Sequence, residues 1–455
     1  MSKQPDSVSQ ASGPSEGFIL VLNCGSSSIK FALYDAGVHP LPRQPMWSGR
    51  AVDIGGPNTT YADSETPEGP LVTTEEGDRT PYVAALDYIR AQVRKQLHGR
   101  TLLGVVHRVV HGGPKYSAPV RIDEQVLHDL ESYIPLAPLH QPYALEAIAA
   151  LLHDLPNLPQ VACFDTAFHH TMPKVEKQLS LPWELYERGV RRYGFHGLSY
   201  EYMALSLPEQ YGDLARGKVV VAHLGSGASL CAMENLQSQS TTMGFSALDG
   251  LMMGTRPGAL DPGAVLYLME IEKLSVSDVT NMLYRKSGLL GVSGLTPEPR
   301  VLLARENEEG PVGERIRDAM SLYVQRIIRQ IGSLVAMMNG LDMLVFTAGV
   351  GENSAEIRRR ILEGMSYFGI RLDQDANTRN GPVISTPDSA VKVVVQPTNE
   401  EWVVARHAAR LLGIDPEGTR RHPLRPAGGI ITPAGSGWRS ISGWCGSTSP
   451  SASCC

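Results

Sequence analysis

A chain of 455 residues with a formal net charge of −6 and a pI near 6.1 offers no general electrostatic attraction to nucleic acid or to an anionic membrane. Its 42% hydrophobic and 19% charged residues supply sizeable cores, and its length suggests two or three domains. The thirteen histidines form no HExxH pattern and no CxxC pair has zinc-site spacing, while no apolar run reaches the roughly 18 residues of a membrane span.

Residues 1 to 16 are polar, lack a signal-peptide core and read as a disordered extension. The first organised stretch runs from Val21 to Asp35, VLNCGSSSIKFALYD, two β-prone runs around a small polar turn. Gly25 adds no side-chain bulk there, so backbone N–H groups and hydroxyls can approach a phosphate, and Lys30 adds a positive charge just beyond. Alone, such a turn is equally an ordinary solvent-exposed hairpin. No GxxxxGK[ST] loop occurs at this turn.

A meander follows from Trp47 to Val72, then a helix over Pro81 to Leu97 with apolar Val83, Leu86, Ile89, Val93 and Leu97. Leu102 to Val110 reads as a strand leading into His111-Gly112-Gly113. Within it, His107 is expected to support the strand end. Arg108 is either a ligand-binding cation or half of a structural ion pair, because a buried charge needs an anionic partner. Helices are expected over Asp123–Ile134 and His140–His153, and a strand over Val161–Phe164. Asp165 directly follows that strand, a favoured active-site position in open α/β sheets and also a place for a simple turn cap. His196 lies between Phe195 and Gly197 in a segment with no amphipathic pattern.

The opening hairpin then recurs. Val219 to Ala232 again runs strand, Gly225-Ser226-Gly227, strand, and Leu344 to Ser354 ends a third apolar run in a glycine turn before a helix over Ser354–Phe368. Such recurrence suggests an internal duplication with a cleft between its halves, and a nucleotide phosphate cradle. Between the repeats lies a long glycine-punctuated loop, Thr241 to Gly263, carrying Arg256 as an anion clamp or a solvent-facing charge. A helix over Gly313–Met338, a strand over Val391–Val395 and a helix over Glu401–Leu412 complete the ordered part. From residue 414 to 455 the composition turns to Gly, Ser, Pro and Arg, a flexible low-complexity tail. Cys24, Cys163 and Cys231 in apolar runs fit a reduced cytoplasmic enzyme.

The pieces VLNCGSSSIKF, HRVVHGG, FDTAFHH, YGFHG, HLGSGASL, MGTRPGALDPG, FTAGVGENS and PTNEE occur in one order between Phe18 and Leu412. Together they closely resemble the acetate kinase family, within the short-chain carboxylate kinases. That resemblance implies an α/β protein with a duplicated ribonuclease-H-like fold, shared with sugar kinases, actin and Hsp70-type ATPases. Two domains, residues 17–168 completed by a helix over 402–413 and residues 169–401, would flank the cleft of each protomer in a homodimer. It implies reversible phosphoryl transfer from ATP to acetate, giving ADP and acetyl phosphate, with Mg2+ as cofactor and Mn2+ able to substitute.

By the same resemblance, Asp165, His196 and Arg256 are catalytic, the last two stabilising the transition state. Asn23, Arg108, Val110, Leu139, Phe195 and Ala247 bind the substrate, with His140 nearby. Ser26, Ser28 and Lys30, then His223, Leu224, Gly225, Ser226 and Gly227, then Gly349, Val350, Gly351, Glu352 and Asn353 face the nucleotide and its phosphates. Glu400 and Asn23 hold the metal. Four departures from the family pattern stand out: Ser226 for asparagine, Leu198 and Tyr200 in HGLSY, and Ala247 for proline, whose smaller side chain opens the methyl pocket toward propionate. Propionate kinase and a noncatalytic Hsp70- or actin-like nucleotide-binding protein are the alternatives, and a phosphohistidine route is the alternative to direct in-line transfer.

Overall fold

The structure is a computed structural model and describes residues 16–71 and 80–414. The N-terminal extension up to residue 15, Val72 at the end of the meander and the tail from residue 415 lie outside the described residues.

The first sheet begins with the expected hairpin: β1 (Gly17–Cys24) and β2 (Ser28–Asp35) pair antiparallel, with Cys24 opposite Ile29. β3 (Trp47–Val52), β4 (Thr60–Asp63) and β5 (Gly69–Pro70) continue it as an antiparallel meander. On the other side of β1 lie β6 (Thr101–Val109) and β8 (Gln160–Phe164), both parallel, with β7 (Val120–Arg121) at the edge. The order is therefore β5-β4-β3-β2-β1-β6-β8-β7. The second sheet repeats its centre. β9 (Lys218–Leu224) pairs antiparallel with β10 (Ala228–Glu234), which pairs antiparallel with β11 (Gln237–Thr241). β12 (Met343–Thr347) and β13 (Lys392–Val395) then add in parallel, giving β11-β10-β9-β12-β13. The match of β3-β2-β1-β6-β8 to β11-β10-β9-β12-β13, strand for strand and direction for direction, is the duplicated ribonuclease-H-like arrangement expected from the repeated hairpins.

Each sheet has its own core. Phe18, Leu20, Leu22 and Cys24 alternate onto one face of β1, where they meet Leu86, Ile89 and Val93 of the helix Pro81–Gln96 and Leu145 and Ile148 of the helix Gln141–Asp154. The opposite face is covered by the last helix, Glu400–Leu411, which packs on β1, β6 and β8. In the second sheet Val220, Ala222, Leu230 and Ala232 pack on Ile316, Met320, Tyr323, Ile327 and Ile331 of a 29-residue helix, Gly310–Met338. That helix ends where Asn339 turns left-handed at φ 56°.

Among the elements that depart from the sequence reading are two helices. The third glycine turn is itself helical, Ala348–Asn353, and the segment after it is shorter than expected, Ala355–Glu363 followed by a separate turn Ser366–Phe368. Glycine's poor helix propensity is offset there because the Glu352 carboxylate accepts from Ala348 N at 2.9 Å and from Thr398 N at 3.3 Å, capping the helix start. The other is a helix, Gly197–Tyr211, that periodicity does not reveal. It packs against β8 of the first sheet, β9 of the second and the last helix, so it is buried nearly all round and carries no apolar stripe.

Candidate active site

A cleft of about 540 Å3 opens between the two hairpins. Its walls are the carboxyl ends of parallel strands and the turns that follow them, where polar side chains reach beyond the sheet. Asn23 comes from the end of β1, Arg108 from β6 and Asp165 from the residue after β8. Arg108 grips Asp165 with both faces of a fork, Nε to Oδ1 at 2.8 Å and Nη2 to Oδ2 at 2.6 Å, and its Nη1 lies 3.4 Å from Asn23 Oδ1. The ion-pair reading of Arg108 is the one the structure shows, and the paired side chain lines the cleft. His107 on the same strand points away and binds Gln160 Oε1 at 2.6 Å in the core.

Across the cleft stand His196 and Arg256. His196 is the N-cap of the helix Gly197–Tyr211 at φ 58°, a left-handed conformation uncommon for a side chain other than glycine. It is held by the preceding carbonyl, since Phe195 O accepts from His169 Nε2 at 2.9 Å. Arg256 projects from the long loop, and its Nη1 donates to Ala247 O at 2.9 Å. The two converge on Gly227, where a Cβ would sit 2.7 Å from Arg256 Nη2 and 3.4 Å from His196 Nε2. Only a residue without a side chain leaves that corner open. No carboxylate pairs with Arg256 among the described residues, and burial pulls its pKa down, so it is a desolvated cation without an anion.

The His196 ring stacks on His223 at 4.1 Å. Burial, then the His223, Arg108 and Arg256 charges, hold His196 well below its usual pKa, so the ring is neutral at pH 7. Burial and Arg108 take His223 to about 4, and burial with Arg256 and Arg108 takes His140 to about 4. Glu400, at the start of the last helix, moves the other way: burial raises it against the pull of Arg108, whose Nε lies 3.7 Å from Glu400 Oε2. Beyond that ion pair, no hydrogen bond from the described residues engages its oxygens. The described residues include no cluster of three His, Cys, Asp or Glu able to hold a metal alone. One carboxylate beside a phosphate site is the donor set by which Mg2+ is commonly held.

Lys30, Val110, His140, Phe195, Ala247, Gly225, Ser226, Gly349 and Glu352 also line this cleft. Ser26 and Ser28 lie in or beside the first turn but outside the lining, Leu139 is half-buried beside it, and Leu224 is wholly in the core. A second cavity of about 500 Å3 shares Gly225, Ser226 and Gly349 and adds Val350 and Asn353. Its far side is Pro297, Glu298, Pro299 and Arg300, which sequence reading did not single out. A Pro-Glu-Pro run signals a turn, and only the fold brings it opposite the glycine helix. Met243 and Thr398 in the first cleft were missed for the same reason.

Arg358 secures the glycine helix from behind. Fully buried, it donates to Gly351 O at 2.8 Å, Glu352 O at 3.0 Å and Asn377 Oδ1 at 2.8 Å, and burial lowers its pKa only to about 10. Arg358→Met strands those acceptors, and we expect a loss of about 3 kcal/mol in denaturant unfolding. Arg358→Lys restores the charge without the fork and recovers only part. An Arg358→Met variant with native stability overturns the assignment.

Known proteins resemble this chain along most of its length. An acetate kinase of Rhodopseudomonas palustris is 46% identical over 405 residues, covering 86% of this chain and 98% of that protein. The crystal structure of Porphyromonas gingivalis acetate kinase aligns with a TM-score of 0.77 at 36% identity, over 87% of this chain and all of that one. A propionate kinase from Francisella tularensis aligns with a TM-score of 0.77 at 35% identity, over 86% and 98%. With the Acetokinase family model matching residues 18–406, the chain belongs to the acetokinase family.

Proposed function

We propose that the chain transfers a phosphoryl group reversibly between ATP and acetate, producing acetyl phosphate and ADP. The observation that carries this reading is the convergence of Arg256, a cation with no carboxylate partner among the described residues, and His196 on the open corner at Gly227. A half-buried, desolvated cation with no carboxylate beside it calls for an anion, and acetate, ATP and the transferring group are all anionic. Acetate is ionised near neutrality, so the reaction needs no strong general base.

A carboxylate oxygen attacks the γ-phosphorus in line. The new O–P bond forms as the bond to the β-phosphate oxygen breaks, and ADP leaves with the electron pair. Arg256 and His196 donate to the equatorial oxygens of the planar phosphoryl group. Arg108, oriented by Asp165, offsets the charge of the acceptor beside Asn23. Asp165 works as an orienting carboxylate, since acetate has no proton for it to take. Glu400 with Asn23 would hold Mg2+, or Mn2+ in its place, and the ion would supply neutralisation of phosphate charge there. The nucleoside occupies the second cavity, with its phosphates along the shared wall of Gly225, Ser226 and Gly349.

Val110, Phe195, Met243 and Ala247 form the apolar end that receives the methyl group. Trapping acyl phosphate with hydroxylamine from ATP, Mg2+ and acetate, propionate or butyrate tests the reading. We expect acetate to lead in kcat/KM and propionate to follow within the 10- to 200-fold range that about 1–3 kcal/mol per methylene allows. Ala247 and the likeness to a propionate kinase support the second reading, propionate first, and that order of rates would establish it. Absence of acyl phosphate from all three acceptors, with folded protein, sinks both.

The same reading includes a homodimer. The helix Pro262–Glu270 buries none of its residues, and Leu266 and Ile271 stand 57% and 61% exposed with Tyr267 beside them. A second copy of this chain covering that face is the arrangement that removes it from water. Sedimentation should give twice the chain mass of 49.3 kDa, and the double substitution Leu266→Glu, Tyr267→Glu should give the single mass. A native chain that sediments as a monomer at micromolar concentration refutes this.

A further inference from the structure

We infer that Tyr200 and Ser229 fix the tautomer of His196, so that its ring presents an N–H rather than a lone pair to the cleft. The functional meaning of this wiring rests on the phosphoryl-transfer reading above. Tyr200 stands one turn after His196 on the helix Gly197–Tyr211 and is fully buried. Its phenol oxygen lies 2.5 Å from Ser229 Oγ on β10, its only hydrogen-bond partner among the described residues. Ser229 Oγ in turn lies 2.8 Å from His196 Nδ1.

Three groups and two hydrogen bonds leave one satisfactory arrangement. A buried phenol that fails to donate costs about 1–3 kcal/mol, so Tyr200 donates to Ser229 Oγ. Burial pushes the phenol well above its ordinary pKa, which keeps the proton in place. Ser229 then has a single hydrogen to give, and His196 Nδ1 is the remaining neighbour. Nδ1 accepts it, and the neutral ring carries its own hydrogen on Nε2. That nitrogen is the one near Gly227, beside Arg256 Nη2. Reversing the chain would strand the phenol hydrogen and turn a lone pair toward phosphoryl oxygens, a repulsive contact. Tyr200 and Ser229 are therefore positioning residues acting through His196.

The stacked partner is wired oppositely. Ser199 Oγ donates to Thr398 Oγ1 at 2.9 Å and so accepts from His223 Nδ1 at 2.9 Å, leaving Nε2 of His223 bare. The two rings thus bring one donor and one acceptor to the cleft, set by separate hydroxyl pairs.

Nitrogen-15 NMR of the histidine-labelled full chain reads these tautomers directly, with the His196 signals assigned from a His196→Gln spectrum. We expect protonated Nε2 and acceptor Nδ1 at His196 in the native protein. Tyr200→Phe deletes one oxygen from the buried ring. It should produce mixed tautomers at His196, leave His223 unchanged, and lower kcat about tenfold, a barrier change near 1.4 kcal/mol, with both KM values within twofold. Ser229→Ala should do at least as much, and Ser229→Thr, which keeps the hydroxyl, should restore the native spectrum. Thermal unfolding of each variant identifies any that merely fails to fold, and Tyr200→Phe and Ser229→Ala provide independent breaks in the relay. Hydrogen on Nδ1 of native His196, or an unchanged tautomer in folded Tyr200→Phe, overturns the inference. Because the spectrum requires no turnover, a chain with the expected tautomers but no acyl phosphate keeps the wiring and loses the functional reading.

Discussion

Arg256→Gln should lower kcat for acyl phosphate formation by about 10²- to 10³-fold, the usual loss when one preorganised donor to a developing charge is removed. Glutamine preserves polarity and much of the length but removes the charge and the fork. The native side chain is anchored at one end only, Nη1 on Ala247 O, which leaves Nη2 for the cleft. Since the planar phosphoryl group exists only in the transition state, KM for ATP and for acetate should change far less than kcat. Arg256→Lys should fall between the two, because a point charge reaches one oxygen where the guanidinium reaches two. Steady-state kinetics with both substrates checks this. A glutamine variant keeping a third or more of native kcat removes Arg256 from the chemistry. Global stability should hardly move, since the side chain makes one backbone hydrogen bond and no ion pair among the described residues.

Acid should unfold the protein over a narrow range. His107, His111, His169 and His223 are buried, and burial lowers each from 6.5 to about 4. Between those values the unfolded chain binds protons that the folded chain refuses. Their stability contribution is complete above pH 6.5 and falls as pH drops toward 4. Each such group is worth about 1.4 kcal/mol per pH unit through that window, so these four alone remove about 5 kcal/mol per unit, comparable to the whole stability of many domains, and His140 and His196, lowered as well, add to it. Glu400 opposes this as a single group, because its raised carboxyl pKa makes the folded state the better proton binder. Denaturant midpoints at pH 7, 6 and 5 measure the slope. Equal midpoints across that range contradict four buried neutral imidazoles, and His107→Gln, in the core away from the cleft, should flatten the slope by about one proton.

The local signals that succeeded were those the backbone itself imposes. A strand that must be buried on both faces needs a continuous apolar run, and a tight turn takes glycine; Val21–Asp35 and Val219–Ala232 satisfy both, so the hairpins and their duplication were readable. The long helix was readable because Ile316, Met320, Ile327 and Ile331 recur at the helical period against one sheet. Asp165 was legible as a polar residue at a strand end, although its partnership with Arg108 is 57 positions distant and no pattern announces it. The helix Gly197–Tyr211 failed this test because neighbours on several sides erase the polar face that periodicity depends on.

What the sequence by itself determined is the set of chemical groups, the duplicated strand–turn–strand units and the family motifs that order them. The tertiary structure decided which groups meet: Gly227 against Arg256 and His196, Pro297–Arg300 opposite the glycine helix, and Tyr200 behind Ser229. Tyr200 read as a mere departure from a motif until its hydroxyl had a neighbour. The physical reason is that propensity and periodicity act over a few residues along the chain. Desolvation, ion pairing and the direction of a hydrogen bond depend on atoms a few ångströms apart in space, wherever they stand in sequence.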